Sequence, residues 1–210
     1  MDWHADAERT PLPGSCWAHA AFSTLADRLK IKRFRDGDGA VTEDAGRSRD
    51  IIPSVQAMLN CGDAGTCSGG SSLSAFKWVA AQGGVPDITC QQYEARDVYN
   101  TSDPDSSAER DADCASGFAL CRTCDHDGCY PVTNYPKIVV TDYGTVETED
   151  DIVAEIMTNG PVSCHINSEC IESYDPQSPI FSYNCTGHNH AVQLVGWGTD
   201  ESGERYWRFR

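Results

Sequence analysis

Cys16 lies in the segment Gly14-Ser15-Cys16-Trp17-Ala18-His19-Ala20, a thiol placed where a helix is expected to begin. The first turn of a helix presents free backbone N–H groups and a partial positive charge, which favours thiolate over thiol, and the thiolate is the nucleophile. The same N–H groups can hold an oxyanion. A cysteine beside a tryptophan is ordinarily a buried structural thiol, so this reading needs partners. Histidines are the natural ones, and His188 and His190 share a face if their segment is extended. A second chemistry is available at Cys121-x-x-Cys124, close in sequence to Cys114, His126 and Cys129. That spacing suits a zinc module, and it suits disulfides equally.

The elements that must position these groups follow from periodicity and caps. Residues 1–15 are polar and turn-rich, an extended lead-in. From Cys16 to about Arg33, small and apolar residues recur near the helical period; Ser15 is the N-cap candidate, and Lys30, Lys32 and Arg33 suit the C-terminal dipole. Short helices are expected over Pro53 to Leu59 and Ser72 to Gln82, the latter ended by Gly83-Gly84. Asp36 to Asp50 reads as a solvated loop and Ala95 to Ala112 as a flexible insertion. Strands are expected at Ile138 to Val140 and Ala191 to Trp197. Between them Thr148 caps a helix from Glu149 to Thr158, closed by Asn159-Gly160-Pro161. A helical first half thus precedes a strand-rich second half.

The 210 residues are enough for one large domain or two small ones. Sixteen basic side chains against thirty-two acidic ones give a net charge of -16, which argues against nucleic acid and against anionic membranes as partners. The balance favours solubility, and in an acidic compartment partial carboxylate protonation relieves the repulsion. Eleven cysteines suggest an oxidising compartment, and the odd number leaves at least one thiol unpaired. Two sequons, at Asn100-Thr101-Ser102 and Asn184-Cys185-Thr186, agree with secretory passage. No run of about eighteen apolar residues is present, so no membrane insertion is expected. No leader begins at Met1, so the N-terminus reads as incomplete or processed.

Gly14-Ser15-Cys16-Trp17, with Asn189-His190-Ala191-Val192 far downstream and Val195-Gly196-Trp197-Gly198 after it, resembles the papain-like cysteine peptidases. Pro53-Ser54-Val55-Gln56, Cys61-Gly62 and Cys67-Ser68-Gly69-Gly70 extend the likeness. His19, Ala26-Asp27-Arg28 and Asn159-Gly160-Pro161-Val162-Ser163-Cys164 are similar to the cathepsin X/Z group within it. The resemblance implies an α+β fold of two lobes. A helical lobe over 1–130 carries the nucleophile, and an incomplete β-barrel-like lobe over 131–210 carries the histidine. It makes Cys16 the nucleophile and His190 the general base and acid, with His188 the rival, and it sets Gly69, Gly70 and Asn189 along the substrate. Gly70 is expected to be glycine because a side chain would block an extended peptide. The disulfides carried over are Cys61 with Cys114, Cys90 with Cys121, and Cys124 with Cys129, with Cys170 and Cys185 as an extra pair.

The departures matter as much. The family's glutamine ahead of the nucleophile completes the oxyanion hole, and residues 1–15 contain none. Loss of such a donor costs about 100- to 1,000-fold in rate. Ala7-Glu8-Arg9-Thr10 stands where the cathepsin X/Z group carries a loop histidine that grips a substrate's C-terminal carboxylate; His4 is too far ahead to replace it. An Asn-Ser-Trp-Gly segment, whose asparagine orients the imidazole, is expected after Arg210, so the sequence reads as a fragment. Cys67 and Cys164 are left unpaired, since Pro13 stands at the first one's partner position and the other's lies past Arg210. The implied function is a cysteine-type peptidase, a monomer needing no cofactor or metal, acting on peptide or protein substrates in a lysosome-like or secreted setting. Carboxypeptidase action is favoured, and weak activity or none is expected of these 210 residues alone. The alternatives are an inactive disulfide-rich homologue and the zinc module.

Overall fold

The computed structural model describes residues 14–37, 50–100, 102–171 and 185–210. The expected lead-in, the Asp36 to Asp50 loop apart from its ends, the segment Ala7 to Thr10, and Asn184 of the second sequon lie outside the described residues.

Helix α1 (Cys16–Arg35) is the element around which the others pack. Ala18, Ala20 and Ala21 let neighbours approach its backbone closely, while Trp17 and Phe22 fill the space beside them, and all five are buried. Lys32, Arg33 and Arg35 occupy its last turn, as the dipole favours. Ser15 sits at the N-cap position without capping. Its hydroxyl instead shares a 2.7 Å hydrogen bond with the Tyr93 hydroxyl.

Helix α2 (Val55–Cys61) starts two residues later than expected because Ser54 is its cap: the hydroxyl accepts from the Ala57 N–H at 3.1 Å and donates to the Gln91 carbonyl at 2.6 Å. Gln56 is buried yet satisfied. Its amide donates to Asn60 and to the Arg96 carbonyl, both at 3.0 Å, and its oxygen accepts from the Glu94 N–H. The hairpin β1 (Gly65–Thr66) and β2 (Gly69–Gly70) leads into α3 (Ser72–Ala81), capped by Ser71. Val55, Ala57, Met58 and Leu59 of α2 and Ala75 and Val79 of α3 complete the core against α1, with Val85, Ile138 and Ala191.

Two expectations fail here. Part of the stretch read as a flexible insertion is helix α4 (Pro104–Ser116). It buries none of its residues, so no apolar stripe announces it. Its ends are specified chemically: Asp103 caps it, proline opens it, and Gly117 closes it at φ +85° in the left-handed region. The Cys61–Cys114 disulfide and a 2.7 Å bond from Tyr99 to Asp113 attach it to the body. Ile138 to Val140 forms no strand; only Ile138 pairs, exchanging two 2.9 Å bonds with Val85.

The remaining chain is the hairpin β3 (Arg122–Asp125) and β4 (Gly128–Pro131), helix α5 (Glu149–Asn159) and the strands β5 (Val162–Ile166), β6 (His190–Thr199) and β7 (Arg205–Phe209). Thr148 caps α5, accepting from the Asp151 N–H at 3.1 Å. The three long strands form one antiparallel sheet in the order β5-β6-β7. No closed barrel occurs among the described residues, and helices packed with a three-stranded antiparallel sheet make the fold α+β. Arg28 of α1 reaches the Pro161 carbonyl at 2.7 Å and Glu155 at 2.8 Å, fixing α5 and the start of β5 to the central helix.

Four disulfides join Cys61–Cys114, Cys90–Cys121, Cys124–Cys129 and Cys170–Cys185. Cys114, Cys121, Cys124 and Cys129 are thereby consumed, which removes the thiolates that the zinc reading required.

Candidate active site

Cys16 is the first residue of α1 and is half-buried with a free thiol. The Ser15 carbonyl takes the N–H groups of Ala18 and His19, at 3.0 and 3.2 Å. The N–H groups of Cys16 and Trp17 belong to the first turn of the helix and have no acceptor among the described residues. Backbone donors at a helix start are of a kind that can hold an oxyanion.

The β1–β2 hairpin is pinned to this end of α1. The Trp17 indole donates to the Thr66 carbonyl at 3.0 Å, and the Gly14 N–H donates to the Cys67 carbonyl. Gly69 and Gly70 therefore lie beside the helix start, exposed along one edge. The fold supplies a packing reason of its own for glycine at 70. A Cβ there would be driven into the Trp17 ring and the Ala64 carbonyl.

His190 reaches the same end of α1 through the direction of the sheet. The Ser72 hydroxyl donates to the Trp17 carbonyl at 2.8 Å and bonds Ser163 of β5 at 2.8 Å, while the residues just before β5 meet Arg28. Strand β5 thus runs from the Arg28 region back toward the Cys16 end. Antiparallel β6 runs the other way, from His190, paired with Ile166, to Gln193, whose amide donates to Asp27 at 2.8 Å. His190 therefore begins its strand at the Cys16 end of the helix and is half-buried. Asn189 is exposed; its side-chain oxygen accepts from the N–H and hydroxyl of Ser168 at 2.8 and 3.0 Å. His188 is exposed and turns toward His165, with ring centroids 5.6 Å apart.

Two residues near the site escaped sequence reasoning. Tyr93 bonds Ser15 and carries the His19 ring edge-on at 4.7 Å, so the first turn of α1 is buttressed from the chain after Cys90. Desolvation lowers the His19 pKa below 6.5, favouring the neutral ring. His165 had no signal in the sequence, since only the β5–β6 register brings it opposite Ala191.

The other free thiols, Cys67 and Cys164, are poor nucleophiles near neutrality. Desolvation, then the charge and hydrogen bond of Asp97, push Cys67 up to about 11, and burial pushes Cys164 to about 11. Asp125, His126 and Asp127 bring ligand atoms within 4.8 Å of one another on the exposed β3–β4 turn.

Residues 11–210 match the family model described as papain family cysteine protease. Cathepsin Z of Onchocerca volvulus is 32% identical over 92% of this chain and 55% of its own length. A cathepsin B-like cysteine proteinase of Caenorhabditis elegans is 27% identical over 92% of this chain and 57% of its own. Among solved structures, the bromelain protease from Ananas comosus superposes with a TM-score of 0.60 at 23% identity, over 96% of this chain and 74% of that one. The chain belongs to the papain family of cysteine proteases. It spans little more than half the length of the curated relatives it resembles.

Proposed function

We propose that the protein is a peptide hydrolase working through a thioester, with Cys16 as nucleophile and His190 as the base that takes its proton and returns it to the leaving amine. The observation that supports this reading is that Cys16 opens α1 with a free, half-buried thiol, and that β6, which begins at His190, packs on the same helix through Ala191 and Gln193. The Cys16 N–H stabilises the oxyanion, and Gly69, Gly70 and Asn189 border the path of the substrate between a helical lobe to about residue 130 and a β-rich lobe beyond it. Family membership supports the reaction class.

Likeness to cathepsin Z favours removal of single residues from peptide C-termini over internal cleavage, on peptide or protein substrates in an acidic compartment of the secretory pathway. The four disulfides agree with such a compartment. No helix among the described residues is long and apolar enough to cross a membrane. The test is hydrolysis of paired peptides with a free or an amidated C-terminus. A carboxypeptidase releases residues only from the free acid, whereas equal cleavage of both peptides identifies an endopeptidase. One observation favours the inactive alternative: residues 1–15 contain no glutamine to add a side-chain donor to the oxyanion hole. On that reading neither peptide is cut, although Cys16 remains present.

A further inference from the structure

His165 and His188 form a pair that the proposed chemistry does not use. His165 is exposed on β5 and His188 is exposed just ahead of β6. Their ring centroids lie 5.6 Å apart with planes tilted by 48°, so they are not stacked. Neither ring has a hydrogen-bond partner among the described residues. Two imidazoles bound to one tetrahedral ion, with Zn–N bonds of ~2.0–2.1 Å, place their centroids about 5 Å apart. The observed separation lies within about half an ångström of that value, and both residues are exposed, so water can complete the coordination.

The backbone around the pair is already fixed. The Asn189 N–H donates to the Ile166 carbonyl at 3.0 Å, and its side chain accepts twice from Ser168, so the segments carrying the two rings are tied together next to the pair. A net charge of -16 also draws cations toward the surface.

We propose that His165 and His188 are a two-imidazole site for a late first-row divalent cation of the Zn2+ or Cu2+ class. Neutral imidazole is a common ligand for these ions, whereas Ca2+ and Mg2+ prefer oxygen donors. Occupancy bridges the end of β5 to the residue two before His190. This inference does not rest on the peptidase reading, because binding is measured without turnover.

Zn2+ is titrated calorimetrically into the full chain with its free thiols alkylated, alongside H165N, H188N and H126N. The unmodified sequence binds one ion at the pair, H165N and H188N each weaken that binding roughly tenfold or more, and H126N leaves it unchanged. Circular dichroism checks the fold of each variant, and Cu2+ electron paramagnetic resonance on the parent chain counts two nitrogen ligands. Unchanged affinity in both H165N and H188N overturns the proposal, as does loss of binding in H126N alone, which places the ion on the Asp125-His126-Asp127 turn.

Discussion

Gln193 of β6 donates its side-chain amide to Asp27 of α1 at 2.8 Å, and Arg210 bonds both, at 2.6 Å to Gln193 and 2.7 Å to Asp27. Gln193 is only 1% exposed, so its amide depends on this partner. The triad sets how β6 lies along α1, and with it where His190 stands relative to Cys16.

Asp27→Ala strips the acceptor from a buried amide and is expected to cost about 1–3 kcal/mol. Asp27→Asn keeps an acceptor and costs less. Urea unfolding of the two variants tests the ranking, and equal losses would show that charge pairing with Arg210, rather than the buried bond, sets the strand.

Gly70→Ala is expected to destabilise by about 1–3 kcal/mol, since the added methyl collides with Trp17 in a packed setting. Gly69→Ala meets no neighbour within 4 Å but strains a backbone at φ +133°. Chemical denaturation separates the two, with a lowered midpoint in both and a perturbed Trp17 fluorescence only for the first.

Removing the Cys61–Cys114 bridge by paired serine substitution is expected to cost about 2–4 kcal/mol, because it frees a closed loop spanning 53 residues. Helix α4 has no buried face to hold it, so hydrogen exchange in residues 104–116 is expected to accelerate more than elsewhere.

Stability is expected to fall in alkali. Cys67 and Cys164 are raised from 9.0 to about 11 in the fold, so the folded state holds their protons more tightly than the unfolded chain. That contribution is complete below pH 9 and is lost as pH rises through about 11. Cys164→Ala is expected to flatten the decline, measured as thermal midpoint against pH.

Legibility in the sequence followed physical type. Helix α5 was visible because cap, helical run and glycine end coincide at Thr148 and Gly160, α1 because of its periodicity and basic last turn, and α3 because Gly83-Gly84 follows it. Helix α4 was hidden because its charged, serine-rich composition is that of a loop, and only its caps and its disulfide make it a helix. Ser15 was read as a cap, since nothing local reveals that Tyr93, 78 residues away, takes its hydroxyl. The convergence of Cys16 and the start of β6 depends on Ser72, Ser163 and Gln193 bonding across the chain, which spacing alone does not disclose. At position 70 the packing of Trp17 adds a demand for glycine that no local pattern discloses.

The most direct test of the account is the rate at which iodoacetamide labels Cys16 at mildly acidic pH, read by peptide mass spectrometry in the unmodified chain and in H190A. Cys16 is expected to be labelled selectively, ahead of Cys67 and Cys164, with a marked slowing in H190A at unchanged fold. Labelling no faster than an ordinary thiol, or indifferent to His190, would contradict the pairing of these two residues.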